Sequence, residues 1–234
     1  MTKLCVIPAR GGSKRIPHKN IRPFRGKPVI AWSIEAAMKA GCFDAIIVST
    51  DDIEIATVAR SWGASVPFLR PGRLADDYAN IVDVVAHAID WALLHLELLT
   101  AVCCLYATAP FVQPNDLLQA AWQLEQFNTN TLLFTATSFP FPIERAIRLD
   151  TNGYAVSVDP KAITKRSQDL EEAFHDAGQF YWARPERWRS PLNFFDGSRP
   201  LLLPRWRVQD IDTEEDWYRA ELMHAALDQY LIHG

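Results

Sequence analysis

The sequence has only four cysteines, and none of them has the spacing of a metal site. Cys5, Cys42, Cys103 and Cys104 form no CxxC or Cys/His pattern, which excludes the usual sequence signatures of a zinc site. Three of the four lie inside apolar runs, where a free thiol behaves as a small core residue. We therefore expect reduced cysteines and a cytoplasmic location.

Long apolar segments are also missing. No run approaches the ~20 residues that a membrane-spanning helix needs, and the N-terminus has no apolar signal region, so we expect no membrane association. The net charge is −4 over 234 residues, and nucleic-acid-binding domains are usually basic, so we expect no nucleic-acid partner either. The length allows one large domain or one domain with a small appendage.

Short apolar runs alternate with helical patterns over the first 137 residues. The pattern predicts strands over 4–9, 45–50, 65–70, 101–106 and 131–137, with helices over 29–40, 53–62, 81–92 and 114–127. The strands lack the polar alternation of a sheet with one solvated face. Strands of this kind, separated by helices, predict an α/β fold with a mostly parallel sheet and helices on both faces.

The alternation breaks after Thr137. Segment 138–176 contains several prolines, a hairpin signal at Asn152-Gly153 and a polar stretch, and we predict that it leaves the main sheet as a small excursion. The chain then returns through the strand GQFYWA and a C-terminal amphipathic helix, which Thr213 would cap with Asp216 three residues on. The predicted core is thus 1–137 together with 177–234.

Positive charge is concentrated in the loop after the first strand. Residues 7–20 read IPARGGSKRIPHKN, and the stretch from Arg10 to Lys27 has seven Lys/Arg and no acid. The spacing matches neither the P-loop GxxxxGK[ST] nor the dinucleotide-binding GxGxxG. The groups able to bind an anion there are Arg10, Gly11, Gly12, Ser13, Lys14 and Lys19. A small anionic ligand is expected, and a solvated basic loop is the alternative.

Two carboxylates near the C-terminus have the spacing of a metal pair. Asp210 and Asp212 are separated by Ile211, so both face one side in extended backbone. Such a pair suits Mg²⁺, which takes one or two carboxylates together with phosphate oxygens and water. Alternatively, the acids only stabilise the N-terminus of the helix that follows.

The stretch IPARGGSKRIPHKN resembles the N-terminal signature of the CMP-sugar synthetases, which transfer CMP from CTP to an eight- or nine-carbon acidic sugar. Further similar stretches follow in order and span nearly the whole chain: CFDAIIVSTDD at 42–52, FLRP at 68–71, LYATAP at 105–110 and QDIDTEEDW at 209–217. HDAGQFYW at 175–182 is most similar to the pseudaminic acid cytidylyltransferases. The N-acylneuraminate enzymes more often have a Pro-Asn-Gly-like turn at 176–178.

The resemblance implies a Rossmann-like core, a dimerisation subdomain in 138–176, a homodimer and a requirement for Mg²⁺. It implies in-line attack of the sugar's anomeric hydroxyl on the α-phosphorus of CTP, with Arg10 and Lys19 neutralising the phosphates. The implied nucleotide-binding residues are Arg10, Gly11, Ser13, Lys14, Asn20, Arg70 and Asn80. Asp210 and Asp212 are the implied metal ligands, with Asp210 as the base. The candidate sugar contacts are Arg166, His175, Gln179 and Tyr181.

Two departures from the sialate members concern the sugar. Those members commonly have a glutamine where this chain has Tyr106, and often an arginine where it has His175. Both changes favour an altered sugar over an altered reaction, so pseudaminic acid is the expected acceptor. N-acetylneuraminate, legionaminate and 3-deoxy-octulosonate remain alternatives, as does a non-catalytic nucleotide-binding module.

Overall fold

The computed structural model describes residues 1–76, 79–190 and 193–233, with side chains described as far as residue 227. The strands are β1 (Thr2–Pro8), β2 (Pro23–Phe24), β3 (Lys27–Pro28), β4 (Ala45–Ser49), β5 (Leu99–Leu105), β6 (Leu132–Ser138), β7 (Ile147–Leu149), β8 (Ala155–Ser157), β9 (Phe174–Ala183) and β10 (Arg199–Leu202). The helices are α1 (Val29–Ala40), α2 (Ile53–Ser61), α3 (Ile81–His95), α4 (Pro114–Gln126), α5 (Pro185–Trp188) and α6 (Glu214–His233).

Six of these strands form the central sheet, in the order β10-β6-β9-β5-β1-β4. Strand β1 pairs in parallel with β4 and β5, and β10 pairs in parallel with β6. Strand β9 is antiparallel to both of its neighbours. The prediction of a mostly parallel sheet is confirmed.

Both faces of the sheet are buried, as β1 illustrates. Leu4 and Val6 pack in a cluster with α3 and Trp188, whereas Cys5 and Ile7 pack in a second cluster with α1, α2 and α4. All four β1 residues are fully buried, because successive side chains of a strand point to opposite faces and each face is covered by helices.

The predicted strand over 65–70 is wrong. Only two isolated bridges form there, Ile47 with Ser65 and Thr50 with Leu69. Pro67 lies between them and has no N–H to donate to a ladder, so the segment follows β4 at the sheet edge without forming a continuous strand.

Segment 139–173, called the arm below, leaves the main sheet. It contains the two-stranded hairpin of β7 and β8, and Gly153 has the positive φ of +85° that its turn requires. Strand β9 begins at Phe174, so the chain rejoins the sheet three residues before the predicted boundary at 177. Strand β9 is therefore longer than predicted, and it pairs with β6 as far as Ser138.

A third apolar cluster joins the N-terminal basic loop to the C-terminal carboxylates. Ile16 and Phe24 pack there with Ile211 and Trp217. Ile211, the residue between the two aspartates, is fully buried.

The predicted cap of the C-terminal helix is confirmed, since Thr213 and Asp216 exchange hydrogen bonds. Among the described residues, no helix combines the length and apolar character needed to cross a bilayer.

Candidate active site

A cleft of about 540 Å³ opens beyond the carboxyl ends of β1, β4 and β5, where parallel sheets bind ligands. Its lining is dominated by polar and charged groups. The lining residues include Arg10, Ser13, Lys14, Arg15, Lys19, Asn20, Arg70, Tyr106, Thr108 and Asp212. The structure thus brings together most of the predicted nucleotide-binding residues with one of the two aspartates.

Gly11 has a different role from the predicted one. Its N–H donates to Asp51 Oδ1 at 3.0 Å, so this N–H is not available to a phosphate. A Cβ at position 11 would lie 2.6 Å from Asp52 Oδ2, so only glycine allows the loop to approach the start of α2 this closely. Gly11 therefore anchors the loop, and the neighbouring cations are left to bind the anion.

Asn20 holds Arg10 in place from inside the loop. The buried Asn20 side chain donates from Nδ2 to the backbone oxygen of Arg10 at 2.9 Å. The Arg10 guanidinium in turn donates from Nη1 to the backbone oxygen of Asp76 at 3.0 Å, across the cleft mouth. Arg10 thus faces the cleft from a backbone that the predicted ligand-binding residue Asn20 fixes.

Arg70 is a buried cation at the floor of the cleft. Among the described residues, its Nε and Nη2 have no hydrogen-bond partner, and the nearest carboxylate oxygen, Asp51 Oδ1, is 3.8 Å from Nη2. Burial lowers the pKa of Arg70, the nearby Arg10 adds to this, and Asp51 opposes it. A buried guanidinium with two nitrogen donors that make no hydrogen bond is suited to binding an anionic ligand.

Two cations hold Asp212, which also lines the cleft. Arg15 Nη2 lies 2.9 Å from Oδ2, and Lys19 Nζ lies 3.2 Å from Oδ1. Lys19 also donates to the backbone oxygen of Ile211 at 2.7 Å. The basic loop and the aspartate pair are therefore in direct contact, although about 190 residues separate them in sequence.

Asp210 is exposed and, unlike Asp212, does not line the cleft. Its surroundings nevertheless disfavour the charged form of its carboxylate. The surrounding protein removes part of the water from its carboxylate, and the charge of Asp212 adds to this effect, so the pKa of Asp210 is raised. Lys19 opposes the shift. Two neighbouring carboxylates of this kind form a donor set that a divalent cation would stabilise.

Among the residues that the structure describes, no group of three or more His, Cys, Asp or Glu side chains could hold a metal ion. An ion at Asp210 and Asp212 would therefore need oxygen ligands from a substrate or from water. That is the usual arrangement for Mg²⁺, which keeps few protein ligands and binds phosphates.

Four predicted contacts lie outside the cleft. Asn80 does not line it, and its side chain caps α3 by accepting from the Val82 N–H at 2.7 Å. Gln179 is buried, and its Nε2 donates to the backbone oxygen of Arg207 at 2.6 Å. His175 packs on Phe139 beside the arm. Arg166 lies on the arm and pairs with Asp169.

The fourth sugar candidate, Tyr181, lies directly behind the cleft wall. It is buried, and its ring centroid is 5.4 Å from that of Tyr106, which does line the cleft. Sequence reasoning assigned no site role to Arg15, and its position in the basic run was the only signal. It also missed Asp176, whose carboxylate accepts from the Tyr181 hydroxyl at 2.7 Å.

The profile of the cytidylyltransferase family matches residues 4–186. This chain belongs to the cytidylyltransferase family. Members are CTP-dependent nucleotidyltransferases, which agrees with a cationic cleft beside paired carboxylates.

Curated members of the family match nearly the whole chain. A pseudaminic acid cytidylyltransferase of Campylobacter jejuni is 46% identical over 225 residues, covering 96% of this chain and 97% of the relative. A CMP-N,N'-diacetyllegionaminic acid synthase of Legionella pneumophila is 32% identical, covering 99% of this chain and 100% of the relative.

A solved structure of a CMP:2-keto-3-deoxy-manno-octonic acid synthetase complexed with CTP has the same fold. It matches with a TM-score of 0.71 at 17% sequence identity, covering 97% of this chain and 99% of the other. The Rossmann-like α/β fold expected from the sequence is therefore confirmed.

Proposed function

We propose that this cytidylyltransferase transfers CMP from CTP to the anomeric hydroxyl of a nine-carbon acidic sugar, pseudaminic acid, and releases pyrophosphate. The observation that carries the proposal is the contact of Lys19 and Arg15 with Asp212 in the lining of the cleft. It supports the proposal because cations that could bind phosphate lie beside a carboxylate pair, and phosphoryl transfer needs both. The choice of sugar is supported by 46% identity to a pseudaminic acid cytidylyltransferase.

The cations would bind and neutralise the triphosphate. Arg10, Arg70 and Lys19 line the cleft, as do Ser13 and Lys14 on the basic loop. Charge-assisted hydrogen bonds from such groups become stronger as the bond to pyrophosphate breaks and negative charge collects on the leaving group. Asn20 and Gly11 would act by fixing this loop, and Asn80 by capping α3, whose first residue Ile81 lines the cleft.

Asp210 would accept the proton of the attacking anomeric hydroxyl. An ionised carboxylate has only acceptor atoms, so it can take this proton from a hydroxyl within hydrogen-bond reach. Asp210 and Asp212 would also hold Mg²⁺. When bound, the ion would supply charge neutralisation for the phosphate oxygens.

Pyrophosphate release from CTP tests the proposal directly. Purified protein is assayed with and without Mg²⁺ against pseudaminic acid, N-acetylneuraminate, N,N'-diacetyllegionaminate and 3-deoxy-octulosonate. We expect Mg²⁺-dependent release with pseudaminic acid well above the others. Preference for another sugar would overturn the assignment of the acceptor. Binding of CTP without release for any sugar would instead favour a non-catalytic nucleotide-binding module.

The four cysteines are free, as a reducing compartment would keep them. The cytoplasm therefore remains the proposed location.

We also propose a homodimer formed through the arm. Both strands of its hairpin are exposed and carry large apolar side chains, among them Ile147, Leu149 and Val156, and Phe141 nearby is 78% exposed. A two-stranded hairpin is only marginally stable alone, and a contiguous exposed apolar patch marks an interaction surface. Arg166 lies on the arm outside its own cleft, so a contact with a sugar carboxylate would require the arm of a second copy.

Light scattering after size exclusion tests the dimer. We expect a mass of about twice 26.5 kDa for the wild type and a shift toward the monomer for Leu149→Asp, because a buried charge disrupts an apolar interface. The matched control is Leu94→Asp on α3, a leucine that is likewise exposed but lies outside the arm. A monomeric wild type, or equal loss of mass in both variants, would contradict the proposal.

A further inference from the structure

The two candidate metal ligands lie in a short segment whose backbone is held by side chains. Ile211 is fully buried, whereas Asp210 is exposed and Asp212 is half-buried. This alternation is that of extended backbone, in which the two aspartates share one side. The backbone oxygen of Asp210 and the backbone N–H of Asp212 each have a side-chain partner, so the segment is fixed on both sides of Ile211.

Asp216 holds the segment from the first turn of α6. Its Oδ2 accepts from the Thr213 N–H at 2.8 Å and from the Thr213 hydroxyl at 2.7 Å. The same oxygen accepts from the Asp212 N–H at 3.2 Å. The cap of the helix accounts for the contacts with Thr213. The contact with Asp212 lies outside the cap and reaches a candidate metal ligand.

Gln209 joins Asp216 to the other candidate ligand. Its Nε2 donates to the backbone oxygen of Asp210 at 2.7 Å and to Asp216 Oδ1 at 3.2 Å. Both partner groups have only acceptor atoms, so the amide nitrogen has to face them, and Gln209 bridges them with its two N–H groups. One oxygen of Asp216 is thus bound to the backbone of Asp212. The other is connected to the backbone of Asp210 through Gln209.

We propose that Asp216 and Gln209 are positioning residues that hold the aspartate pair at the separation required to share one divalent cation. The inference rests on the proposed function, since it takes the pair as ligands of Mg²⁺. This ion demands near-ideal octahedral geometry, so its affinity depends on how firmly the few protein ligands are held. Residues that orient metal ligands through hydrogen bonds typically change metal affinity by about 10- to 100-fold.

Gln209→Met tests the bridge without touching the cap of α6. Methionine has a similar length but no amide, so both hydrogen bonds of the bridge are lost. The probe is Mn²⁺, which prefers oxygen ligands as Mg²⁺ does, and the EPR signal of the free ion reports its binding. The protein is in slight excess over a CTP analogue that cannot be cleaved. We expect the Kd for Mn²⁺ to rise about 10- to 100-fold, and the Kd for CTP in EDTA to stay unchanged.

Asp216→Asn should give a rise of similar size. The N–H groups of Asp212 and Thr213 need an acceptor, so the amide oxygen takes the place of Oδ2 and the cap remains. The amide nitrogen then faces Gln209 Nε2, donor against donor, and turning the Gln209 amide would set its oxygen against that of Asp210. The bridge is broken either way. The double variant Asp216→Asn/Gln209→Met should therefore match Gln209→Met alone.

The matched control is Glu215→Gln. It removes a negative charge from the same turn of α6, where Glu215 is exposed, and its Kd for Mn²⁺ should be unchanged. Equal rises in Glu215→Gln and Asp216→Asn would mean that only the charge at the helix terminus matters, and would overturn the inference.

Two further results would overturn it. One is an unchanged Kd for Mn²⁺ in Gln209→Met, and the other is an additive rise in the double variant. If Asp216→Asn fails to fold, Gln209→Met still tests the bridge because the cap is intact. A wild type that binds the CTP analogue but no Mn²⁺ would overturn the metal assignment of the proposed function together with the inference. A wild type and a Gln209→Met variant that bind Mn²⁺ equally well would overturn the inference alone.

Discussion

The charged groups of the cleft and those on the outer side of α1 differ in how well they are paired. Burial lowers the pKa of Arg70 in the cleft, and partial removal of water raises that of Asp210 next to Asp212, so both shifts disfavour the charged form. On α1, hydrogen bonds from Lys27 and then Lys39 lower the pKa of Glu35, which favours its charged form. Lys27 lies 2.9 Å and Lys39 3.0 Å from the Glu35 oxygens.

This difference separates charges that serve binding from charges that serve stability. The folded protein places Arg70 and Asp210 where their charges are unfavourable, and a triphosphate with its metal ion would supply the missing partners. Glu35 already has its partners. We therefore expect substitutions in the cleft to lower activity without lowering stability, and a substitution at Glu35 to do the reverse.

Asp210→Asn should have the largest effect. Loss of the candidate base and metal ligand should lower kcat by about 10²- to 10⁴-fold in the pyrophosphate-release assay. The folded chain holds the Asp210 proton more tightly than the unfolded chain, so the unfolding free energy falls as the pH rises from the ordinary pKa of aspartate through the raised one. The asparagine side chain does not titrate, so the variant does not lose this part of the unfolding free energy. Its Tm without ligands at pH 7 should equal or exceed that of the wild type.

Glu215→Gln is the matched control, an exposed acid in the first turn of α6, and its turnover should be unchanged. Near-normal pyrophosphate release by Asp210→Asn would contradict its assignment as the base. A large fall in its Tm would contradict the view that the charge of Asp210 is unfavourable to folding.

Arg70→Met should have the next largest effect. Loss of charge-assisted hydrogen bonds should raise the Kd for CTP about 10- to 100-fold, measured by calorimetry. Methionine fills similar space without a buried charge, and such replacements often raise stability, so the Tm without CTP should rise. Unchanged CTP affinity would show that Arg70 does not contact the nucleotide.

Glu35→Gln should have the smallest effect. It removes a partly exposed ion-pair group, so the unfolding free energy at pH 7 should fall by about 0.5 kcal/mol in urea titration. Because the pKa of Glu35 is lowered on folding, its contribution is present above the ordinary pKa of glutamate and is lost as the pH falls through the lowered value. The difference in unfolding free energy between the variant and the wild type should shrink in acid, and turnover should stay unchanged. A turnover defect would place Glu35 with the cleft residues.

Many secondary-structure elements, a helix cap and the basic loop could be predicted from the sequence. The helix over 29–40 was predicted with the observed bounds, and the cap at Thr213 has the predicted partner, Asp216. Each of these depends on residues within four positions of one another, where spacing along the chain fixes distance in space. The basic loop was also predicted as an anion-binding segment, because seven cations without an acid are visible in the sequence itself, and several of its residues line the cleft.

The partners of individual polar groups were decided by the tertiary structure. The Gly11 N–H donates to Asp51 because β4 pairs beside β1 in the sheet. Gln179 is buried because a bulge in β9 places it against the backbone of Arg207. Lys19 meets Asp212 because Ile16 and Ile211 share an apolar cluster. The sequence by itself determined which segments form strands, helices and a cationic loop, whereas strand order and core packing decided which charges meet, since both bring together residues that lie far apart in the chain.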